Sequence, residues 1–173
     1  MKDSYTFEGE NFSVRVVNRS IRSVVQQFEV VERPPIVMAL PVAQDGSWFL
    51  VKQHRIAVDQ IIIEFPAGRV EKGEAPEAAV KRELLEEIGF QANDLKYVGN
   101  ITTAPHFCDE NIQIFFAIGT IVQNPQPTGK ESSFEVINTS SNELISLIKD
   151  GLFADAKSLA AVSLAMANGY IAW

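Results

Sequence analysis

A chain of 173 residues, 46% hydrophobic and 21% charged, is long enough for one compact domain that buries roughly two-thirds of its unfolded surface. Its 22 acids against 15 bases leave a net charge of −7, which argues against broad binding to nucleic acid or anionic lipid, since both need a basic footprint. One cysteine, Cys108, and two histidines, His54 and His106, exclude an internal disulfide and a multi-cysteine zinc site, and no run of about 18 uncharged apolar residues exists to span a membrane.

The opening MKDSYTFEGENFSV has acids and polar residues where an export signal would need an apolar run, so the expected location is the cytoplasm. Short alternating runs follow, YTFEG, FSVRVV and SVVQQFEVVE, whose period of two and β-branched content predict strands. Arg33-Pro34-Pro35 breaks the pattern. It marks a boundary between an N-terminal β unit, residues 1–34, and a main domain, residues 35–173; a single domain with an edge hairpin is the alternative. IVMALPVA, the turn Gln44-Asp45-Gly46-Ser47 and WFLVKQH predict a hairpin, and QIIIEFPA predicts a third apolar strand. A loop with Gly68 and Gly73 then leads to a helix that has Pro76 in its first turn and Gly89 as its left-handed stop. LKYVGNITTAP, NIQIFFAIGTIV and FEVI predict strands, the last after a Pro-rich loop over 124–133. SSNELISLIKDG and the stretch from Asp155 to Asn168 predict helices.

The segment GRVEKGEAPEAAVKRELLEEIGF, residues 68–90, carries six glutamates. Val80, Leu84 and Ile88 recur at i, i+4 and i+8 and face the core, while Glu83, Glu86 and Glu87 share an adjoining face. Like charges at that spacing cost a few tenths of a kcal/mol per pair. Clustered carboxylates on a rigid helix form an oxygen-rich site for a hard divalent cation such as magnesium, which also binds substrate phosphates. Acidic helix faces otherwise simply meet solvent.

Gly68, Glu74 and Arg82-Glu83-Leu84-Leu85-Glu86-Glu87-Ile88-Gly89-Phe90 match the signature GX5EX7REUXEEXGU of the Nudix hydrolases, with Phe90 where an aliphatic residue is more usual. The chain is thereby identified as similar to that family, which implies a mixed α/β fold with a β-sheet sandwiched between helices. By this resemblance Glu83 and Glu87 are principal metal ligands, Glu86 joins when more than one ion binds, and the Ala67 carbonyl adds an oxygen. The implied cofactor is Mg2+, with Mn2+ as substitute. Arg82 and Glu74 resemble an orienting pair.

Glu32-Arg33-Pro34, Gln53-His54-Arg55 and Glu64-Phe65-Pro66-Ala67-Gly68 resemble the ADP-ribose pyrophosphatase and nucleoside diphosphate sugar branch, and Pro105, sixteen residues after Gly89, resembles the proline of enzymes using ADP-ribose. The implied reaction splits the diphosphate of a nucleoside diphosphate sugar. Arg55 would contact the diphosphate, Glu110 the terminal sugar hydroxyls, and Arg33 with Phe28 the nucleobase region. Phe28 as a core residue and Arg33 as a partner of Glu32 are the duller alternatives. His106 stands where the branch usually has glycine. The segment from Gly129 to Val136 resembles the loop on which relatives place the catalytic base; it carries Glu131, as base or as a ligand that orients the attacking water, with serines in place of a second acid, and Glu110 is the reserve. The N-terminal β unit resembles one that packs or swaps across a homodimer. The alternatives are a nucleoside triphosphate-sanitising relative and a silent nucleotide-binding module. No GXSXG motif supports a serine hydrolase, and Thr128-Gly129-Lys130-Glu131 lacks the remainder of a P-loop.

Overall fold

A computed structural model describes residues 4–124 and 134–172. Among the described residues ten strands and three helices follow one another as β1 (Ser4–Glu8), β2 (Ser13–Ile21), β3 (Val24–Glu32), β4 (Ile36–Ala43), β5 (Trp48–Arg55), β6 (Gln60–Glu64), β7 (Ala67–Arg69), α1 (Pro76–Ile88), β8 (Phe90–Thr102), β9 (Asn111–Ile121), β10 (Phe134–Thr139), α2 (Ser141–Lys149) and α3 (Ala156–Ala167). The first three form an antiparallel sheet of their own. The others form a mixed sheet in the order β10-β5-β4-β9-β8, with β6 added to β5 and β7 to β4.

The apolar runs of β4 and β5 are explained by burial on both faces. Ile36, Met38 and Leu40 of β4, with Trp48 and Leu50 of β5, join Leu144 of α2 and Ala161, Val162 and Ala165 of α3 in one core. Val37, Ala39, Phe49 and Val51 point the other way, to Ala79, Val80, Leu84 and Ile88 of α1. A strand covered on both faces loses its alternation and reads as a continuous apolar run. The expected sandwich of a sheet between helices is therefore what the chain adopts. Burying each of Val80, Leu84 and Ile88 contributes roughly 1.5–3 kcal/mol, far more than the repulsion among the neighbouring glutamates costs.

The expected hairpin differs in one respect. The turn is there: Gly46 has φ 85°, Ala43 N–H donates to the Ser47 carbonyl at 2.8 Å, and Asp45 accepts from both the backbone and the hydroxyl of Ser47. Those two bonds hold the Asp45 carboxyl below its usual range. Yet β4 and β5 pair only at Val42 and Trp48, then splay. β6 fills the β5 side of the opening and β7 the β4 side, so the chain crosses between them at Phe65-Pro66. This crossing leads directly into β7, with Ala67 and Gly68, and the loop after it.

The helix signals coincide with the helices. Pro76 starts α1, and Gly89 ends it at φ 66°, its N–H reaching the Leu84 and Leu85 carbonyls. A reciprocal Ser140–Glu143 capping box opens α2, and Asp155 caps α3 through Ser158. β8 begins five residues earlier than its sequence pattern suggested, immediately after Gly89, because pairing of Phe90 with Ile121 extends it. The N-terminal sheet is stitched to the rest by backbone bonds of Val31 to Phe107 (2.7 Å) and Asp109 (3.1 Å). Among the described residues no helix is long and apolar enough to cross a membrane.

Candidate active site

The acidic residues of α1 meet the loop from β7 at a contact that only glycine permits. A Cβ at residue 68 would fall inside the Glu83 carboxyl group, so the carboxylate lies directly on the Gly68 backbone. Gly68 in turn pairs with Val37 of the central strand β4, which holds the loop against movement. Gly68→Ala is expected to push the Glu83 carboxylate aside and lower activity roughly 10–100-fold while the fold survives; kinetics with a thermal melt would check both. One turn along the helix Glu87 is 7% exposed, and Glu86 lies between them in sequence and is more open.

Arg82 organises this cluster. Its Nε and Nη2 donate to the two oxygens of Glu74, each at 3.0 Å, and Nη2 also donates to the Arg69 carbonyl at 2.9 Å. Glu74 accepts a further bond from the Glu71 backbone N–H at 2.9 Å. The guanidinium therefore ties the start of the loop to α1. Hydrogen bonding by Arg82, then by the Glu71 N–H, holds the Glu74 carboxyl below its ordinary range, and Glu74 holds the guanidinium above its own. Nη1 reaches Glu83 Oε1 at 2.8 Å and Glu86 Oε2 at 3.5 Å. Part of the helix's repulsion is thus compensated within the chain.

Among the described residues no three His, Cys, Asp or Glu side chains converge as a ready cation cage, since Arg82 draws Glu83 and Glu86 toward itself. The donor chemistry nevertheless fits a hard divalent cation. All candidate donors are oxygens, Glu87 is almost fully buried, and Glu83 occupies the notch that Gly68 leaves beside Ala67.

Arg55, at the end of β5, donates from Nε to Glu64 Oε1 at 2.6 Å. The residues assigned to the two ends of a substrate are, by contrast, joined to each other: Arg33 Nε lies 3.3 Å from Glu110 Oε1, and Thr103 Oγ1 donates to Glu110 Oε2 at 2.8 Å. Arg33 does not pair with Glu32 as the duller reading had it, because Glu32 is taken up by Arg15, Tyr5 and Ser13. Phe28 is 38% exposed on the N-terminal sheet. Pro105 sits in a tight turn closed by Cys108 N–H on the Ala104 carbonyl at 2.8 Å. His106 replaces the usual glycine there without strain: among described non-glycine residues only Arg22, Ser23 and Asp59 have positive φ. Glu131 lies outside the described residues.

One feature had no sequence signal. A cleft of about 580 Å³ opens at the turn over 9–12, lined among others by Tyr5, Phe12, Glu32 and Arg33 and, from the end of β7, by Arg69. Arg69 bridges it to the box, its side chain bonding the Glu10 carbonyl (3.3 Å) and Asn11 while its own carbonyl accepts from Arg82. The turn and the box are 59 residues apart in the chain, too far for local pattern to relate them.

The NUDIX domain model matches residues 32–161. An ADP-ribose pyrophosphatase of Bacillus subtilis is 30% identical over 158 residues, covering 87% of this chain and 85% of that protein. A protein of Bacillus methanolicus named methanol dehydrogenase activator is 29% identical with the same coverage. A crystal structure of an ADP compounds hydrolase superposes with a TM-score of 0.83 at 22% identity, over 99% of this chain and 95% of that one, a likeness of fold. With a matching family model over most of its length and the complete signature running from β7 through α1 to the first residue of β8, the chain belongs to the Nudix hydrolase family.

Proposed function

We propose that the protein hydrolyses the diphosphate of a nucleoside diphosphate sugar, ADP-ribose or a relative such as GDP-mannose, to a nucleoside monophosphate and a sugar phosphate. The observation that carries it is the α1–β7 contact, where Glu83 rests on Gly68 with the buried Glu87 one turn on. The choice of substrate is supported by similarity to the B. subtilis protein over most of both chains. Glu83, Glu87 and Glu86, with the Ala67 carbonyl, would hold Mg2+, or Mn2+ in its place. When bound, such an ion offsets diphosphate charge and acidifies water.

The chain's own residues do the rest. Arg55 presents a planar guanidinium to the diphosphate. Arg33 and Phe28 take the nucleobase region, Glu110 the sugar hydroxyls, and Pro105 shapes the loop that carries Glu110. Arg82 and Glu74 hold loop and helix in register. Water's oxygen joins one phosphorus as the bridging P–O bond breaks, and Glu131 receives the proton that water loses, with Glu110 in reserve.

We also propose that residues 1–34 form a dimerisation unit of a cytoplasmic homodimer. Tyr5, Phe7, Ile21, Val24, Val25 and Phe28 are all exposed there, more apolar surface than one small sheet ordinarily leaves to water. A panel of ADP-ribose, GDP-mannose, ADP-glucose, UDP-glucose, dinucleotides and nucleoside triphosphates, with phosphate counted after phosphatase treatment, tests the activity. Turnover of triphosphates alone would overturn it. For the dimer, a chain starting at Pro35 is expected to scatter light as a monomer and to show a raised KM; an unchanged oligomer with an unchanged KM refutes it.

A further inference from the structure

Glu64, the last residue of β6, is 1% exposed although it is a carboxylate. Two cations share it: Arg55 Nε donates to Oε1 at 2.6 Å, and Lys157 Nζ, from the first turn of α3, donates to Oε2. Lys157 Nζ also reaches Asp155 Oδ1 at 2.8 Å. Asp155 Oδ2 accepts from the Ser158 N–H at 3.0 Å and from its hydroxyl at 2.6 Å. Ser158 Oγ accepts from the Phe65 N–H at 3.0 Å. Among the described residues the network holds two acids and two bases, and it closes on the crossing between β6 and β7.

A carboxylate withdrawn from water needs such partners, yet an apolar residue would fill a purely structural position at least as well. The network's layout points beyond packing. Glu64 and Phe65 are the two residues that precede Pro66-Ala67-Gly68, and both are fastened to the N-terminus of α3, one by side chain and one by backbone. Phe65 is anchored further by its edge contact with Phe153, ring centres 5.4 Å apart. The same Glu64 carboxylate fixes Arg55, whose side chain is 34% exposed and so reaches from the core to the surface.

Building on the reading of Arg55 as the diphosphate contact, we infer that Glu64, braced by Lys157, is a positioning residue. It sets where the Arg55 guanidinium stands relative to the Ala67–Gly68 loop and makes α3 part of the frame of the active site. Glu64→Gln keeps the shape and removes the charge that orients Arg55.

The test is steady-state kinetics on the full chain with ADP-ribose and magnesium, together with thermal melts. Glu64→Gln is expected to raise KM about tenfold or more, the worth of one charge-assisted hydrogen bond, with kcat within about threefold of the parent. The double variant Glu64→Gln/Arg55→Lys should be no worse than Arg55→Lys alone. Lys157→Met, which guards against a Glu64 variant that fails to fold, should raise KM in the same direction, and Lys157→Arg should restore it. Effects of Glu64 and Arg55 that multiply, or a Lys157→Met protein with lowered Tm and unchanged KM, would overturn the inference. If Arg55→Lys by itself leaves KM unchanged, the error lies in assigning Arg55 to the diphosphate, and the inference falls with it.

Discussion

Replacing Glu83 or Glu87 with glutamine is expected to lower kcat/KM at least about a hundredfold, because each would hold the divalent cation that offsets the negative charge of the diphosphate in the transition state. Neither change should unfold the protein. The core side of α1 is made by Ala79, Val80, Leu84 and Ile88, which the substitutions leave intact. Magnesium should raise the Tm of the parent in a concentration-dependent way, since an ion that binds only the native state stabilises it by mass action. That rise should shrink in both variants. Full turnover by metal-stripped protein, or an undiminished magnesium shift in Glu87→Gln, would show that these carboxylates do not hold the ion. Glu86→Gln is the useful contrast: its side chain is the most open of the three and lies farther from Arg82 than that of Glu83, so a smaller loss is expected there.

The second large effect concerns the proton acceptor. Glu131→Gln is expected to lower kcat on the order of 100-fold to 10,000-fold, the range for a general base, with little change in KM or in magnesium affinity. Glu110→Gln should instead raise KM. The structure adds a reason to separate the two: Glu110 is engaged by Arg33 and Thr103, so removing its charge frees Arg33 and changes binding before it changes chemistry. A nearly active Glu131→Gln beside a Glu110→Gln protein with lost kcat would exchange the roles. Loss in neither would leave the proton to solvent.

Much of the site was legible because its signals are local. Pro76, Gly89, the Ser140–Glu143 box and Asp155 delimit helices through bonds made within a few residues, and the i, i+4, i+8 stripe of Val80, Leu84 and Ile88 fixes which face of α1 is buried. The spacing from Gly68 to Glu87 likewise lies within one short strand, the loop after it and one helix, so it could be read before any contact was seen.

What the linear sequence did not disclose depends on segments far apart. Glu64 reads as part of an apolar strand, QIIIEFPA, and only its meeting with Lys157, 93 residues later, explains a carboxylate in the core. Arg33 could have served Glu32 beside it, but Tyr5, Ser13 and Arg15 reach Glu32 from the neighbouring strands, leaving Arg33 to Glu110. The parting of β4 from β5 after a well-formed turn has the same origin, because beyond the turn β6 takes the facing edge of β5 and β7 that of β4. The sequence by itself determined the family, the helices and the acidic face, whose causes lie within one or two turns of chain. The tertiary structure decided which charges are buried, which strands part and what each arginine holds, since a charge or a strand edge accepts whichever partner the whole fold brings within a few ångströms.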